Sequence, residues 1–132
     1  MIVSMLLLTF LSCMNSSQKG QRMKPIMFGG VEFLDTVHHL GDIPFEEPVR
    51  SFDFKFVNHS KRLLVILDAK PSCRCTKVEY PMKPVSTGDT SYIRVTYDGT
   101  GRSPEYFNKS VTVYTNVADN LIELKIKGVL KR

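Results

Sequence analysis

Cys73 and Cys75, in the stretch PSCRCT at residues 71–76, are two of only 3 cysteines in the chain. A pair so close could form a local disulfide, chelate a soft metal as two thiolates, or exchange electrons as a dithiol couple. In a flat strand the two side chains share a face but stand roughly 6.6 Å apart, two residues at ~3.3 Å each. A disulfide wants its β carbons about 3.5–4.5 Å apart, so bond formation requires a bend or bulge, which Pro71 and Ser72 are placed to begin. As a metal site the pair needs further ligands for zinc, or a two-coordinate copper(I). Met82 is the candidate close in sequence; His38, His39, Met23 and Met27 are distant ones. As a redox couple, Arg74 and Lys77 would favour a thiolate. Against that role, oxidoreductases generally place C-x-x-C at a helix start, and no helix is legible here. A local disulfide, or two packed thiols, is the reading the residues favour, with copper or zinc binding and redox exchange as alternatives.

The remaining chemistry-bearing residues form no catalytic set. His38 and His39 close the first apparent strand and read as surface or edge positions. Glu46 and Glu47, in PFEEPV, read as a solvated loop rather than an acid and base pair. Ser72, Ser86, Ser91 and Ser110 lack a nucleophile-elbow context. The GTG at 99–101 precedes no helix and reads as a hairpin turn instead of a phosphate loop. NHS at 58 and NKS at 108 read as strand-end turns. The expectation is a protein that is not an enzyme.

The elements that must position these residues are short strands. SFDFKFVN alternates, with Phe52, Phe54 and Phe56 on one face and Asp53 and Lys55 on the other, a period of two that marks a half-buried strand. TSYIRVTYD sets Ile93, Val95 and Tyr97 against Tyr92, Arg94 and Thr96. KSVTVYTN and NLIELKIKGVL repeat the pattern through Val111, Val113, Ile122, Leu124 and Ile126. RLLVILDAK is almost continuously apolar and predicts a central strand covered on both sides. VEFLDTVHH and a short strand around CTKVEY bring the total to about seven. The spacers at 42–48, 58–61, 81–89 and 98–104 are built from Gly, Pro, Asn, Asp and Ser, which turns require. The prediction is all-β: an immunoglobulin-like antiparallel β-sandwich of about seven strands.

The 132 residues, 42% apolar, suffice for one domain with a modest core. The formal charge of +5 comes from 18 Lys and Arg against 13 Asp and Glu spread along the chain. It is not gathered into the basic stripe with interleaved aromatics of a nucleic-acid binder. The opening MIVSMLLLTFLSC has an apolar run too short for the ~20 residues of a spanning helix. It resembles a bacterial lipoprotein signal, cleaved before Cys13, whose sulfur and new amine would carry acyl chains. Residues 14–27 have little periodicity and read as a tether. The domains expected are a signal peptide over 1–12, a lipid-anchored tether over 13–29 and the sandwich over 30–132, with a periplasm-facing anchor in the inner or outer membrane.

From Val31 to Leu130 the order FDFKFVN, PSCRCT, YPMKPVSTGDTSYIRVTYD, KSVTVYTN and LIELKIKGVL resembles the bacterial family called domain of unknown function 1573, frequent in Bacteroidota. Its cysteine motif usually reads C-G-C-T; here Arg74 replaces the glycine, so the turn must form without a positive φ. The resemblance implies an Ig-like module, commonly exported or lipid-anchored, and lends no reaction. The expected role is binding or structural, toward another envelope protein or a glycan. Loops at one end of a sandwich carry recognition, and here they point to the turn after the cysteines: Tyr80, Pro81, Met82 and Lys83.

Overall fold

The computed structural model describes residues 25–117 and 121–132; the expected leader, Cys13 and most of the expected tether lie outside them. Among the described residues the elements are nine strands: β1 (Ile26–Phe28), β2 (Val31–Phe33), β3 (Val37–Pro44), β4 (Val49–Asn58), β5 (Ile66–Pro71), β6 (Thr76–Glu79), β7 (Thr90–Asp98), β8 (Glu105–Thr115) and β9 (Ile122–Lys131). One sheet runs β1-β2-β4-β7-β6 and the other β3-β9-β8-β5. Two sheets face to face in this order are an immunoglobulin-like β-sandwich.

The alternation read from the sequence builds the core. Phe54 and Phe56 on β4, Ile93, Val95 and Tyr97 on β7, Phe107, Val111 and Val113 on β8, and Ile122, Leu124 and Ile126 on β9 are all buried. Tyr97 stacks flat on Phe107, with centroids 3.8 Å apart and planes at 6°, joining the two layers at one end. Gly128 on β9 makes room for that stack, because a β carbon there would come 2.6 Å from Phe107 Cζ and 2.9 Å from the Gly41 carbonyl.

Four expectations are corrected. The stretch 31–39 is not one strand: Leu34 still donates to the Lys55 carbonyl, but Asp35 Oδ1 then accepts from the Val37 N–H, and Lys125 donates to the Thr36 carbonyl. The chain thereby leaves the β4 sheet and joins β9 in parallel, so the sandwich is not wholly antiparallel. Residues 62–70 do not form a central strand. β5 is a sheet edge; Leu64, just before it, and Ile66 are buried, while Leu63 is exposed and Leu67, where the register shifts between Ile66 and Asp68, is turned outward. The GTG does not close a hairpin, because β7 and β8 lie in different sheets and residues 99–101 arch between them. Asn108 sits within β8 rather than in a turn. Two strands had not been expected as separate elements: β3, split from β2, and β1, which falls inside the stretch assigned to the tether.

Candidate functional site

The cysteine turn spans the sandwich. It leaves β5, an edge of one sheet, and enters β6, an edge of the other. The bend at Ser72 is fixed from two sides, its N–H donating to the Ser110 carbonyl at 2.8 Å and its Oγ accepting from the Ser110 N–H at 3.1 Å. Thr76 then donates to the Cys73 carbonyl at 3.1 Å, closing a tight turn over Arg74. The Cα atoms of Cys73 and Cys75 come to 5.1 Å, and a disulfide joins the two sulfurs. Arg74 needs no positive φ to sit there; among the described residues every positive φ belongs to glycine. Cys75 is buried and its carbonyl accepts from the Asp98 N–H at 2.8 Å, so the bridged turn is tied to β7 as well.

The other expected metal candidates do not converge on the pair. Met82 is 84% exposed, and Met27 lies on β1, at the far edge of the sheet from β6. His38 is stacked on Phe52, with centroids 3.4 Å apart, and faces Asp35 at 3.5 Å. His39 is exposed on β3 beside Lys127 of β9. Met23 lies outside the described residues. Among those described, no group of three or more His, Cys, Asp and Glu is arranged to hold a metal ion.

A groove of about 300 Å³ opens at the end of β6, lined by Glu79, Tyr80, Pro81, Ser91, Tyr92 and Arg94. It contains the first half of the turn singled out from the sequence; Met82 and Lys83 follow as exposed residues. The groove exists because β6 stops early. Its register pairs Glu79 with Arg94, which would bring residue 81 opposite Tyr92. Pro81 has no N–H with which to continue the ladder, and the chain turns away. On the floor, Arg94 grips Asp53 of the neighbouring strand with two bonds of 2.7 and 2.9 Å and lies 5.4 Å from the Tyr92 ring. The hydrogen bond from Arg94 holds the Asp53 carboxyl below the usual carboxylate range. The sequence put Tyr92 and Arg94 on one face of a strand, but only the strand order reveals that they adjoin the Tyr80 turn.

A second polar cluster closes the opposite end. The Tyr97 hydroxyl donates to Glu105 at 3.0 Å, and Arg102 donates to the same carboxylate at 2.7 and 3.2 Å. Burial first, and then the bond to Glu105, push the Tyr97 hydroxyl up to about 12. It stays protonated at neutral pH, and the cluster serves as a clasp on the arch between β7 and β8.

The two packed sheets, with a bridged crossover between their edges, put the chain in the class of Ig-like β-sandwich modules. The chain belongs to the family DUF1573, described as a protein of unknown function, which it matches over residues 31–130. No curated protein matches it. Among solved structures it is similar to a protein of unknown function from Porphyromonas gingivalis, at 14% identity and a TM-score of 0.64, covering 76% of this chain and 46% of that one. The PapD-like domain 7 of human CEP192 is similar at 13% identity and a TM-score of 0.52, over 100% of this chain and 97% of that one. The secreted serine protease VesC from Vibrio cholerae is similar at 9% identity and a TM-score of 0.54, over 76% and 23%. At these identities the likeness establishes the fold. The chain spans less than half the length of the Porphyromonas protein.

Proposed function

We propose that the protein is an exported, non-enzymatic Ig-like binding module of the bacterial cell envelope. In this reading a lipid on Cys13 holds it to the inner or outer membrane facing the periplasm, and it engages another envelope component, protein or glycan, through the turn at Tyr80, Pro81, Met82 and Lys83. No nucleic acid takes part. The observation that carries the reading is the groove where Tyr80 and Pro81 face Tyr92 at the end of an edge strand. Apolar and aromatic walls with a few oriented polar groups are what a recognition site needs. The lipoprotein-like leader and the bridged cysteines support an extracytoplasmic address, because disulfides persist in oxidising compartments. The thiol-based alternative has less support, since neither cysteine offers a thiolate while the two are bonded.

Intact-mass spectrometry of the protein purified from its native envelope, with and without thiol alkylation, tests the address. The expected species begins at Cys13, carries a tri-acyl group and gains no alkyl mass at Cys73 or Cys75. A chain that starts elsewhere without lipid would remove the anchor, and alkylated cysteines or retained copper or zinc would return the thiol chemistry to the front.

A further inference from the structure

We infer that the groove beside β7 binds an extended, acidic peptide segment as an added strand, hydrogen-bonded to the backbone N–H and C=O of Tyr92. The inference rests on the recognition role proposed for the Tyr80 turn and specifies its ligand.

Two hydrogen bonds fix which way the Tyr92 backbone points. Asp98 donates to the Cys75 carbonyl, so in the β6–β7 ladder residues 98, 96 and 94 turn their backbone groups toward β6, and by the alternation of an antiparallel strand residue 92 does the same. Independently, Leu34 donates to the Lys55 carbonyl. Lys55, the register partner of Tyr92 on β4, therefore faces away from β7, and its pair with Tyr92 is a non-hydrogen-bonded one. Both observations direct the Tyr92 N–H and C=O into the space that β6 vacates at Pro81. Among the described residues neither group meets a partner there.

The neighbouring edges are guarded. On β5 the edge-facing Ala69 N–H is capped by Asp68 Oδ1 at 2.8 Å, and Pro71 has no N–H to offer. On the open half of β4 the Val49 carbonyl accepts from the Arg50 guanidinium at 2.9 Å. Proteins blunt edges by such devices, and an edge left open beside a groove is one that can pair with another chain. Charge sets the sign of the occupant. In the groove Arg94 is paired with Asp53 and Glu79 with Lys77, while Lys55, the register partner of Tyr92, and the exposed Lys83, two residues past Pro81, add positive charge. An acidic segment gains from that surplus and a basic one is repelled. Backbone pairing favours a peptide over a glycan, which would use the Tyr80 and Tyr92 rings and leave the amide untouched.

The test titrates the isotope-labelled full chain with a short synthetic peptide of alternating Val and Thr flanked by Glu, and with its Lys-flanked counterpart. The acidic peptide is expected to shift the Tyr92 amide and slow its hydrogen exchange, and to bind at least about tenfold more tightly than the basic one. Tyr92→Pro removes the donor and should weaken binding by about tenfold, the worth of one backbone hydrogen bond. The exposed double variant Lys55→Glu with Lys83→Glu should weaken it similarly while leaving the backbone intact. Equal binding of the two peptides, an unshifted Tyr92 amide, or no binding at millimolar peptide would overturn the inference. Envelope oligosaccharides shifting only the Tyr80 and Tyr92 rings would overturn strand addition but keep the groove as the recognition site. Ligand-induced shifts confined to the four-stranded sheet would remove the groove reading as well.

Discussion

Replacing Asn58 by Ala would strand several hydrogen-bonding groups at once. Its buried amide donates to the carbonyls of Arg62 and Val85, each at 2.9 Å, and its Oδ1 accepts from the Ser60 N–H and hydroxyl. The expected loss is about 3 kcal/mol, because buried groups left without partners carry their full desolvation penalty; urea unfolding of Asn58→Ala checks it. Tyr97 gives a second expectation at this scale. Its hydroxyl is raised in the fold from 10.0 to about 12, so the folded chain holds that proton more tightly than the unfolded one. The resulting stability is fully present below pH ~10 and is lost as pH rises through about 12. An ultraviolet titration should show a tyrosine step at about pH 12, and Tyr97→Phe should remove it. Neither role was legible beforehand. Asn58 looked like a turn residue, and Tyr97 was grouped on one face with Ile93 and Val95, with no sign that Glu105, across the arch, would receive its hydroxyl.

Strands were legible where a single face is apolar, as in Phe54 and Phe56 or Ile122 through Ile126, because a period of two records burial directly. They were misread where neighbours decide. Leu63 to Leu67 carries apolar residues on both faces, yet β5 ends at a sheet edge with two leucines in solvent; and β2 and β3 were fused because one aspartate, Asp35, turns the chain from one sheet to the other. The cysteine turn was anticipated as a bend, but its place as the crossover between two sheet edges comes from strand order, which no local pattern contains. The ring closed by Cys73 and Cys75 is very small, and the turn is also held by Ser72, Ser110, Thr76 and Asp98. Reduction should therefore cost no more than about 1.5 kcal/mol and leave the sandwich folded. Circular dichroism and thermal unfolding with and without reductant check this; collapse of the β signal on reduction would contradict it.

At the scale of the whole molecule, the sandwich places its bridged crossover at the start of β6 and its groove where that strand ends, both on one edge of the five-stranded sheet. Fold and family could be read from the alternating strands and the PSCRCT motif. The groove could be read only in half, through Tyr80 and Pro81, because Tyr92 and Arg94 reach it through pairing with a strand that follows ten residues later. The most direct measurement places a photo-crosslinking side chain at Met82, beside the groove, or at Thr112, on the outer face of the other sheet, and irradiates the protein in its native envelope. The account predicts one discrete adduct from Met82 that diminishes when Lys55 and Lys83 are both changed to Glu, and none from Thr112. Adducts from Thr112 alone, or Met82 adducts indifferent to those charges, would contradict it.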